Sequence, residues 1–232
     1  MPQRIVVGVS PDLLIMVLEE ALVEVSQRPF GLEVPPTIRD RRREAFLDAA
    51  EALFLDQGFE RTSLVQIVGR SRGSLSTLYE HFGSKQGLLH ALAARWRTEV
   101  VGGVGDQPGK GGSNAETLCM FARRQFAKMS SPRSIALMKM VFSESLRDED
   151  FAAQTYRDLH LPVLDELAVL FAQWNELGGA RIDDPEAAAR YFMSLTAGDT
   201  VLGKLFGVNE ASLAEQEIDW RVEKFVQQFG IT

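Results

Sequence analysis

Residues 41–92 read RRREAFLDAAEALFLDQGFERTSLVQIVGRSRGSLSTLYEHFGSKQGLLHAL, and the spacing of their apolar and capping residues predicts a series of helices. Apolar residues recur there at intervals of three and four, which predicts one buried face of a helix. This face consists of Phe46, Ala49, Ala50, Leu53 and Phe54. We expect the helix to begin after Thr37, which follows two prolines and can cap it, and to end at Gly58.

Two short helices and a longer one are predicted to follow. Ser63, with a glutamine three residues later, has the pattern of a capping box and starts the second helix. A turn over Ser71–Gly73 separates it from a third helix over Leu75–Phe82, which Ser74 caps. The fourth helix starts at Ser84 and is longer. The result is three helices, with a tight turn before the third, followed by a longer helix that leaves the domain.

Positive charge is concentrated in this part of the chain. Residues 37–97 contain 10 basic and 7 acidic side chains, a net charge of +3, although the whole chain has a net charge of -7. A basic segment within an acidic protein suggests contact with a polyanion. Charge alone leaves open the alternative that surface charges cluster there by chance.

Residues 39–92 resemble the DNA-binding domain of the TetR family of bacterial regulators. The matching residues are Ala49-Ala50, Phe54, Gly58-Phe59, Thr62-Ser63, Ile67, Ser74, Thr77-Leu78-Tyr79, His81-Phe82, Ser84-Lys85 and Leu88-Leu89. The resemblance implies an all-α fold, with a three-helix helix-turn-helix DNA-binding domain followed by a larger helical ligand-binding and dimerisation domain. The turn departs from the family's usual Gly-Val-Ser, and Leu75 stands where a lysine is common.

The predicted domains are an N-terminal extension over 1–36 with one helix and a linker, the DNA-binding domain over 37–97, and an effector-binding and dimerisation domain over 98–232. The glycine-rich stretch 102–114 is predicted to be a flexible connection because it contains six glycines and one proline. It lacks the spacing of a phosphate-binding loop. No apolar run is long enough to span a membrane. A single cysteine fits a reducing cytoplasm.

The third helix is predicted to enter the major groove of DNA. Short side chains at its N-terminus let backbone N–H groups approach phosphates, and longer ones beyond can reach base edges. The predicted DNA-binding residues are Arg41, Arg43, Thr62, Ser63, Ser74, Leu75, Ser76, Thr77, Tyr79, His81 and Lys85. Simpler roles stay open for some of them: a cap for Ser74, a ring that covers the core for Tyr79, and a solvated helix face for the arginines.

The second domain is predicted to bind a small molecule, from the family resemblance and from its many large apolar side chains. The predicted ligand-binding residues are Phe121, Met138, Phe142, Tyr156, Phe171, Trp174 and Phe192. The alternative is that these side chains form an ordinary core. The chemical identity of a ligand does not follow from them.

Dimerisation is predicted because one recognition helix contacts few base pairs, so that specific binding usually needs two. Helices over 185–206 and 213–229 are expected to pack against their mates as a four-helix bundle. Their apolar stripes consist of Tyr191, Leu195, Gly198, Leu202, Leu205 and Phe206 on the first helix, and Trp220, Phe225 and Phe229 on the second.

These features predict a transcriptional repressor that leaves a palindromic operator when it binds an effector. One alternative is a DNA-binding regulator without a small-molecule ligand, and another is a helical enzyme. The chain offers no nucleophile–base grouping and no cofactor motif, so we expect neither catalysis nor a cofactor. Its three histidines and one cysteine lack the spacing of metal ligands.

Overall fold

The computed structural model describes residues 37–101, 112–207 and 211–232. The helix predicted over 11–27, its linker and most of the glycine-rich stretch lie outside these residues. Within them the chain forms helices joined by short turns and contains no β-strand, which confirms the all-α prediction. By the proximity of Cα atoms the chain divides into residues 1–40 and residues 41–232. Within the first unit, the Thr37 hydroxyl accepts a hydrogen bond from the Asp40 N–H at 3.1 Å.

Four helices make up the region predicted to bind DNA. They are α1 (Ile38–Gln57), α2 (Leu64–Ser71), α3 (Leu75–Phe82) and α4 (Lys85–Val101). The predicted capping box is confirmed, because the Ser63 hydroxyl accepts from the Gln66 N–H at 3.2 Å while the Gln66 side chain accepts from the Ser63 N–H at 2.7 Å. The predicted boundary between residues 97 and 98 falls inside α4, which runs on without a break.

Helices α5 to α11 form the rest of the described chain. They are α5 (Asn114–Met129), α6 (Pro132–Ser145), α7 (Glu149–Thr155), α8 (Leu161–Glu176), α9 (Pro185–Met193), α10 (Asp199–Leu205) and α11 (Ala211–Gln228). A π-helical turn, Tyr156–His160, separates α7 from α8. Pro162 predicts an interruption of the helix in this region. Its ring crowds the carbonyl four residues earlier, and its nitrogen has no hydrogen to donate.

Residues 185–205 are helical, as predicted for 185–206, but this helix is not α-helical along its whole length. A π-helical turn, Ser194–Gly198, separates α9 from α10. Two hydroxyls bond back to carbonyls four residues earlier: Thr196 to Phe192 at 2.8 Å and Ser194 to Arg190 at 2.9 Å. Such bonds compete with the helical N–H ladder and bend helices, which gives a physical reason for the interruption.

Two apolar cores both include residues of α4. The first joins Phe46 and Phe54 of α1 to α2, α3 and α4, and it also takes in Leu137 of α6 and Phe151 of α7. The second is built on α5, α8, α9 and α11, with Val100 of α4 at its edge. Because α4 contributes to both cores, the helix-turn-helix helices are packed against the C-terminal helices rather than tethered to them.

Candidate nucleic-acid interface

The N-terminus of α3 carries a cluster of hydroxyl groups. The Ser74 hydroxyl accepts a hydrogen bond from the Thr77 N–H at 3.2 Å, which confirms the predicted cap. The same oxygen lies 3.0 Å from the Ser76 hydroxyl and 2.8 Å from the Thr77 hydroxyl. Three hydroxyls and the unpaired N–H groups of the first turn therefore lie together, and such a helix end attracts anions.

The outer face of α3 is open to solvent because its inner face is tightly held. Leu78 is fully buried among α1 and α2 side chains, as predicted. Ser76 and Tyr79 are exposed, Tyr79 by 52%, and Leu75 at the start of the helix is 39% exposed. An exposed helix with short side chains at its start has the dimensions to enter a major groove.

The turn before α3 depends on two adjacent residues with different backbone roles. Arg72 adopts the left-handed conformation, with φ at 55°, where the family usually has glycine. Gly73 follows, and a β-carbon there would lie 2.4 Å from a ring carbon of Phe46. The Arg42 guanidinium donates to the Arg72 carbonyl at 3.1 Å and ties the turn to α1. The shifted glycine thus lets the turn approach the core closely.

His81 lies at the end of α3 with its ring against other aromatic rings. Its centroid is 6.2 Å from that of Phe46 and 5.7 Å from that of Phe82. Because one side of the half-buried ring packs in this way, only its outer edge remains available for a DNA contact.

The predicted arginines of α1 differ in their surroundings. Arg41 is exposed. Arg43 is paired with Glu44 at 3.1 Å, and its guanidinium carbon lies 5.6 Å from the centre of the Phe82 ring. Arg43 therefore has local partners, whereas Arg41 projects into solvent as a phosphate contact requires.

Thr62 and Ser63 have different roles in the turn between α1 and α2. Thr62 is 2% exposed, and its hydroxyl donates to the Gly58 carbonyl at 2.8 Å. Its side chain therefore holds the turn and does not face solvent, so we leave it out of the proposed interface. Ser63 is exposed at the N-terminus of α2, where its hydroxyl also caps the helix.

Lys85 is predicted to contact phosphate, but it has partners within the chain. Its ammonium donates to the Glu60 carbonyl at 3.2 Å and lies 4.3 Å from the centre of the Phe59 ring. Burial lowers the pKa of Lys85, and the nearby Glu144 carboxylate opposes this effect. A phosphate contact would require Lys85 to leave these partners.

The residues that sequence reasoning missed are Arg70 and Arg72. Both are exposed at the end of α2, directly before the turn that leads into α3. Their position in the turn between the two helices was the available signal, because phosphates flank any groove that a helix enters. Leu75–Phe82 itself contains no arginine or lysine, so exposed cations such as these must come from neighbouring segments.

The seven predicted ligand-binding residues do not form one group. Four of them are buried in the second core, with ring centroids 6.2 Å apart for Phe121 and Phe192, 6.3 Å for Phe171 and Phe192, and 5.7 Å for Phe171 and Trp174. Met138 is buried on α6. Phe142 and Tyr156 are 53% and 56% exposed. The four aromatic residues therefore pack against one another, and whether a ligand separates them stays a prediction.

A cleft of about 290 Å³ lies between the α1–α2 turn and α6. It is lined by Gln57, Gly58, Phe59, Glu60, Arg61, Lys139, Met140, Ser143 and Glu144. None of the seven predicted ligand-binding residues is among them. A second crevice beside Thr196 has room for about 10 Å³, about the space that one water molecule occupies.

The helices predicted to dimerise carry exposed apolar side chains. Tyr191 is 51% exposed, Leu202 53%, Phe206 78% and Trp220 58%. Phe225 is 1% exposed and belongs to the second core, so it is unsuited to an interface. Large apolar side chains that are this exposed are candidates for protein–protein contacts.

Within residues 37–101, 112–207 and 211–232, no three acidic, histidine or cysteine side chains are close enough to hold a metal ion. None of the helices in those ranges is long and apolar enough to cross a membrane.

Two family descriptions match this chain. Residues 46–92 match bacterial regulatory proteins of the tetR family, and residues 116–230 match the C-terminal domain of AefR-like transcriptional repressors. FasR of Mycolicibacterium smegmatis, an HTH-type transcriptional activator, is 38% identical over 66 residues, which are 28% of this chain. That alignment spans only 30% of the length of FasR.

Solved structures extend the likeness to most of the chain. A TetR-family transcriptional regulator from Mesorhizobium loti has a TM-score of 0.73 at 22% identity, covering 84% of this chain and 100% of that one. The flavonoid-responsive regulator FrrA has a TM-score of 0.64 at 26% identity, covering 82% of this chain and 97% of that one. The two family matches, over 46–92 and 116–230, and the helix-turn-helix geometry show that the chain belongs to the TetR family of bacterial transcriptional regulators.

Proposed function

We propose that this protein is a dimeric transcriptional repressor that binds a palindromic operator through α3 and leaves it when a small molecule binds the C-terminal helices. The observation that carries the proposal is the exposed outer face of α3, with Leu75, Ser76 and Tyr79 turned to solvent. The match to AefR-like repressors over 116–230 favours repression over activation. Since the partner is chromosomal DNA, the proposal implies a cytoplasmic protein without a catalytic role.

Phosphate contacts would come from side chains around α3 rather than on it. Arg41, Arg70 and Arg72 are exposed there, and Ser74 offers a capped helix N-terminus to a phosphate. Contacts of this kind position a protein on DNA without selecting a sequence. Base contacts would come from the exposed face of α3, where N-terminal residues of a recognition helix reach base edges.

Two copies of the chain would associate through α9, α10 and α11. Tyr191, Leu202, Phe206 and Trp220 supply the exposed apolar area that such an interface would bury. A two-fold dimer presents two recognition helices to successive major grooves, which is why the operator is proposed to be palindromic.

A second candidate function differs from the first in having no effector. FrrA, whose structure this chain resembles, is a flavonoid-responsive regulator, which supports effector control. The close packing of Phe121, Phe171, Trp174 and Phe192 favours instead a regulator whose C-terminal helices serve assembly alone. The test uses a panel of aromatic amphiphiles. A compound that raises the melting temperature of the protein and also releases DNA would support effector control. If no compound in the panel does either, the second candidate is supported.

The test of DNA recognition uses the purified full chain and a pool of random duplexes. Repeated selection should enrich one palindromic sequence, and its affinity should exceed that for a scrambled duplex at least a thousandfold. Tyr79→Ala should weaken binding to the enriched duplex by about tenfold or more. Tyr156→Ala is the matched control, since Tyr156 has nearly the same exposure, 56% against 52%, and lies far along the chain on a π-helical turn. Equal affinity for every duplex would contradict the proposal.

A further inference from the structure

The exposed face of α3 lacks the side chains that most often read guanine. Lysine and arginine are absent from Leu75–Phe82, and its one acidic residue, Glu80, is exposed. Guanine is usually selected by a bidentate arginine or by lysine in the major groove. The basic residues Arg70 and Arg72 lie before α3, where they suit phosphates better than base edges.

The hydroxyls at the start of α3 are largely engaged with one another. Ser74 accepts the Thr77 N–H, and its oxygen lies 3.0 Å from the Ser76 hydroxyl and 2.8 Å from the Thr77 hydroxyl. Groups that already share hydrogen bonds lose these bonds when they turn to a base edge. They therefore serve the helix cap more readily than a base.

Leu75 is the apolar residue that this arrangement places at the helix entrance. It is the first residue of α3, and its side chain is 39% exposed although leucine is usually buried. The resemblance to TetR regulators gives the same position a lysine in many members. Among the four bases only thymine presents a methyl group in the major groove, and apolar side chains select thymine by contact with that methyl group.

We propose that Leu75 is a specificity-determining residue that reads the 5-methyl group of one thymine in each operator half-site. The proposal rests on the proposed function, because it assigns the base class read by the same helix. Leu75 selects a thymine by burying the methyl group against its side chain, while the flanking arginines supply affinity without selecting a sequence.

The experiment starts from the duplex enriched by the wild-type chain. Each thymine of a half-site is replaced in turn by deoxyuridine, which removes the methyl group and leaves base pairing intact. At one position of the half-site, we expect deoxyuridine to weaken wild-type binding about fourfold, the equivalent of one buried methyl group. Substitution in both half-sites should weaken binding about fifteenfold.

Variants assign that effect to Leu75. In Leu75→Ala the affinity ratio of thymine to deoxyuridine duplexes should fall to about one at the same position, whereas Leu75→Met should keep most of it. Leu55→Ala is the matched control, because Leu55 on α1 is 41% exposed against 39% for Leu75. This variant should keep the full ratio. Circular dichroism checks that each variant is folded.

Two outcomes overturn different claims. If the wild-type chain enriches a duplex but every thymine-to-deoxyuridine ratio is the same in Leu75→Ala as in wild type, the assignment to Leu75 is wrong and the proposed function stands. If no duplex is enriched at all, the proposed function itself fails, and the assignment fails with it.

Discussion

Arg133 of α6 donates hydrogen bonds to both carboxylate oxygens of Glu51 on α1. Arg95 of α4 donates to the same carboxylate at 2.6 Å, so two guanidinium groups from different helices hold one half-buried glutamate. Arg133 also pairs with Glu99 near the end of α4. This network connects a C-terminal helix directly to the first helix of the DNA-binding region, beside the apolar contacts that α4 makes.

Arg133→Gln should destabilise the fold by about 1–2 kcal/mol, because Glu51 loses one of its two charged partners while it stays half-buried. Urea unfolding of both proteins measures the change in the free energy of unfolding. Arg190→Gln is the control: Arg190 pairs with Glu186 at 3.2 Å, and both side chains are more than half exposed. The control should change stability by less than about 0.5 kcal/mol. If the two variants change the free energy of unfolding equally, the Arg133 network stabilises the fold no more than an exposed ion pair does.

The same network makes part of the stability depend on pH. Hydrogen bonds from Arg133, opposed in part by burial, lower the pKa of Glu51 below its ordinary value, and Arg95 lowers it further. A carboxyl whose pKa is lower in the folded state stabilises the fold above its unfolded pKa, near 4.3, and loses that contribution as pH falls through the folded pKa.

The prediction concerns the difference in unfolding free energy between the wild type and Glu51→Gln. This difference should stay constant from about pH 6 to 8 and shrink below about pH 4.3. Glu44, Asp48 and Glu99 pair with the same two arginines and are present in both proteins. Chemical denaturation at each pH provides the measurement. A difference that grows on acidification would contradict the assigned direction of the pKa shift.

Gly73→Ala should destabilise the helix-turn-helix by about 1–3 kcal/mol, because the new β-carbon would meet the Phe46 ring at 2.4 Å. Gly69→Ala is the matched control, since nothing lies within 4 Å of a β-carbon at Gly69 in α2. Alanine is the better helix former, and this variant should gain up to about 1 kcal/mol. The melting temperature should therefore fall in Gly73→Ala and rise in Gly69→Ala. A Gly73→Ala protein as stable as wild type would argue against the close packing of the turn.

Trp220→Glu should convert the proposed dimer to monomers, because it places a charge in the apolar surface proposed for α9, α10 and α11. Leu146→Glu is the control, since Leu146 is 89% exposed at the end of α6 and lies on no dimerisation helix. Sedimentation velocity separates the two states. If the Trp220→Glu protein stays dimeric, the dimer interface lies elsewhere on the molecule.

Local sequence patterns predicted the helices and caps of the DNA-binding region well. Ser63 and Ser74 were predictable as helix caps, because a short polar side chain directly before an apolar repeat can accept a hydrogen bond from an N–H of the first turn. The inward hydroxyl of Thr62 and the ring contact of Lys85 were not predictable, because they depend on tertiary neighbours. The π-helical turn at Ser194 and the burial of Phe225 were missed for a related reason. Helical periodicity identifies an apolar stripe, but it does not tell which stripe faces the core and which faces a partner.

The proposed function requires two copies of α3 to enter successive major grooves of one operator. Hydroxyl-radical footprinting of the full chain on the enriched duplex is the direct test of this arrangement. We expect two protected patches related by a two-fold axis, with centres about 10 base pairs or a multiple of that apart. One protected patch only, or uniform cleavage along the duplex at saturating protein, would contradict the claim.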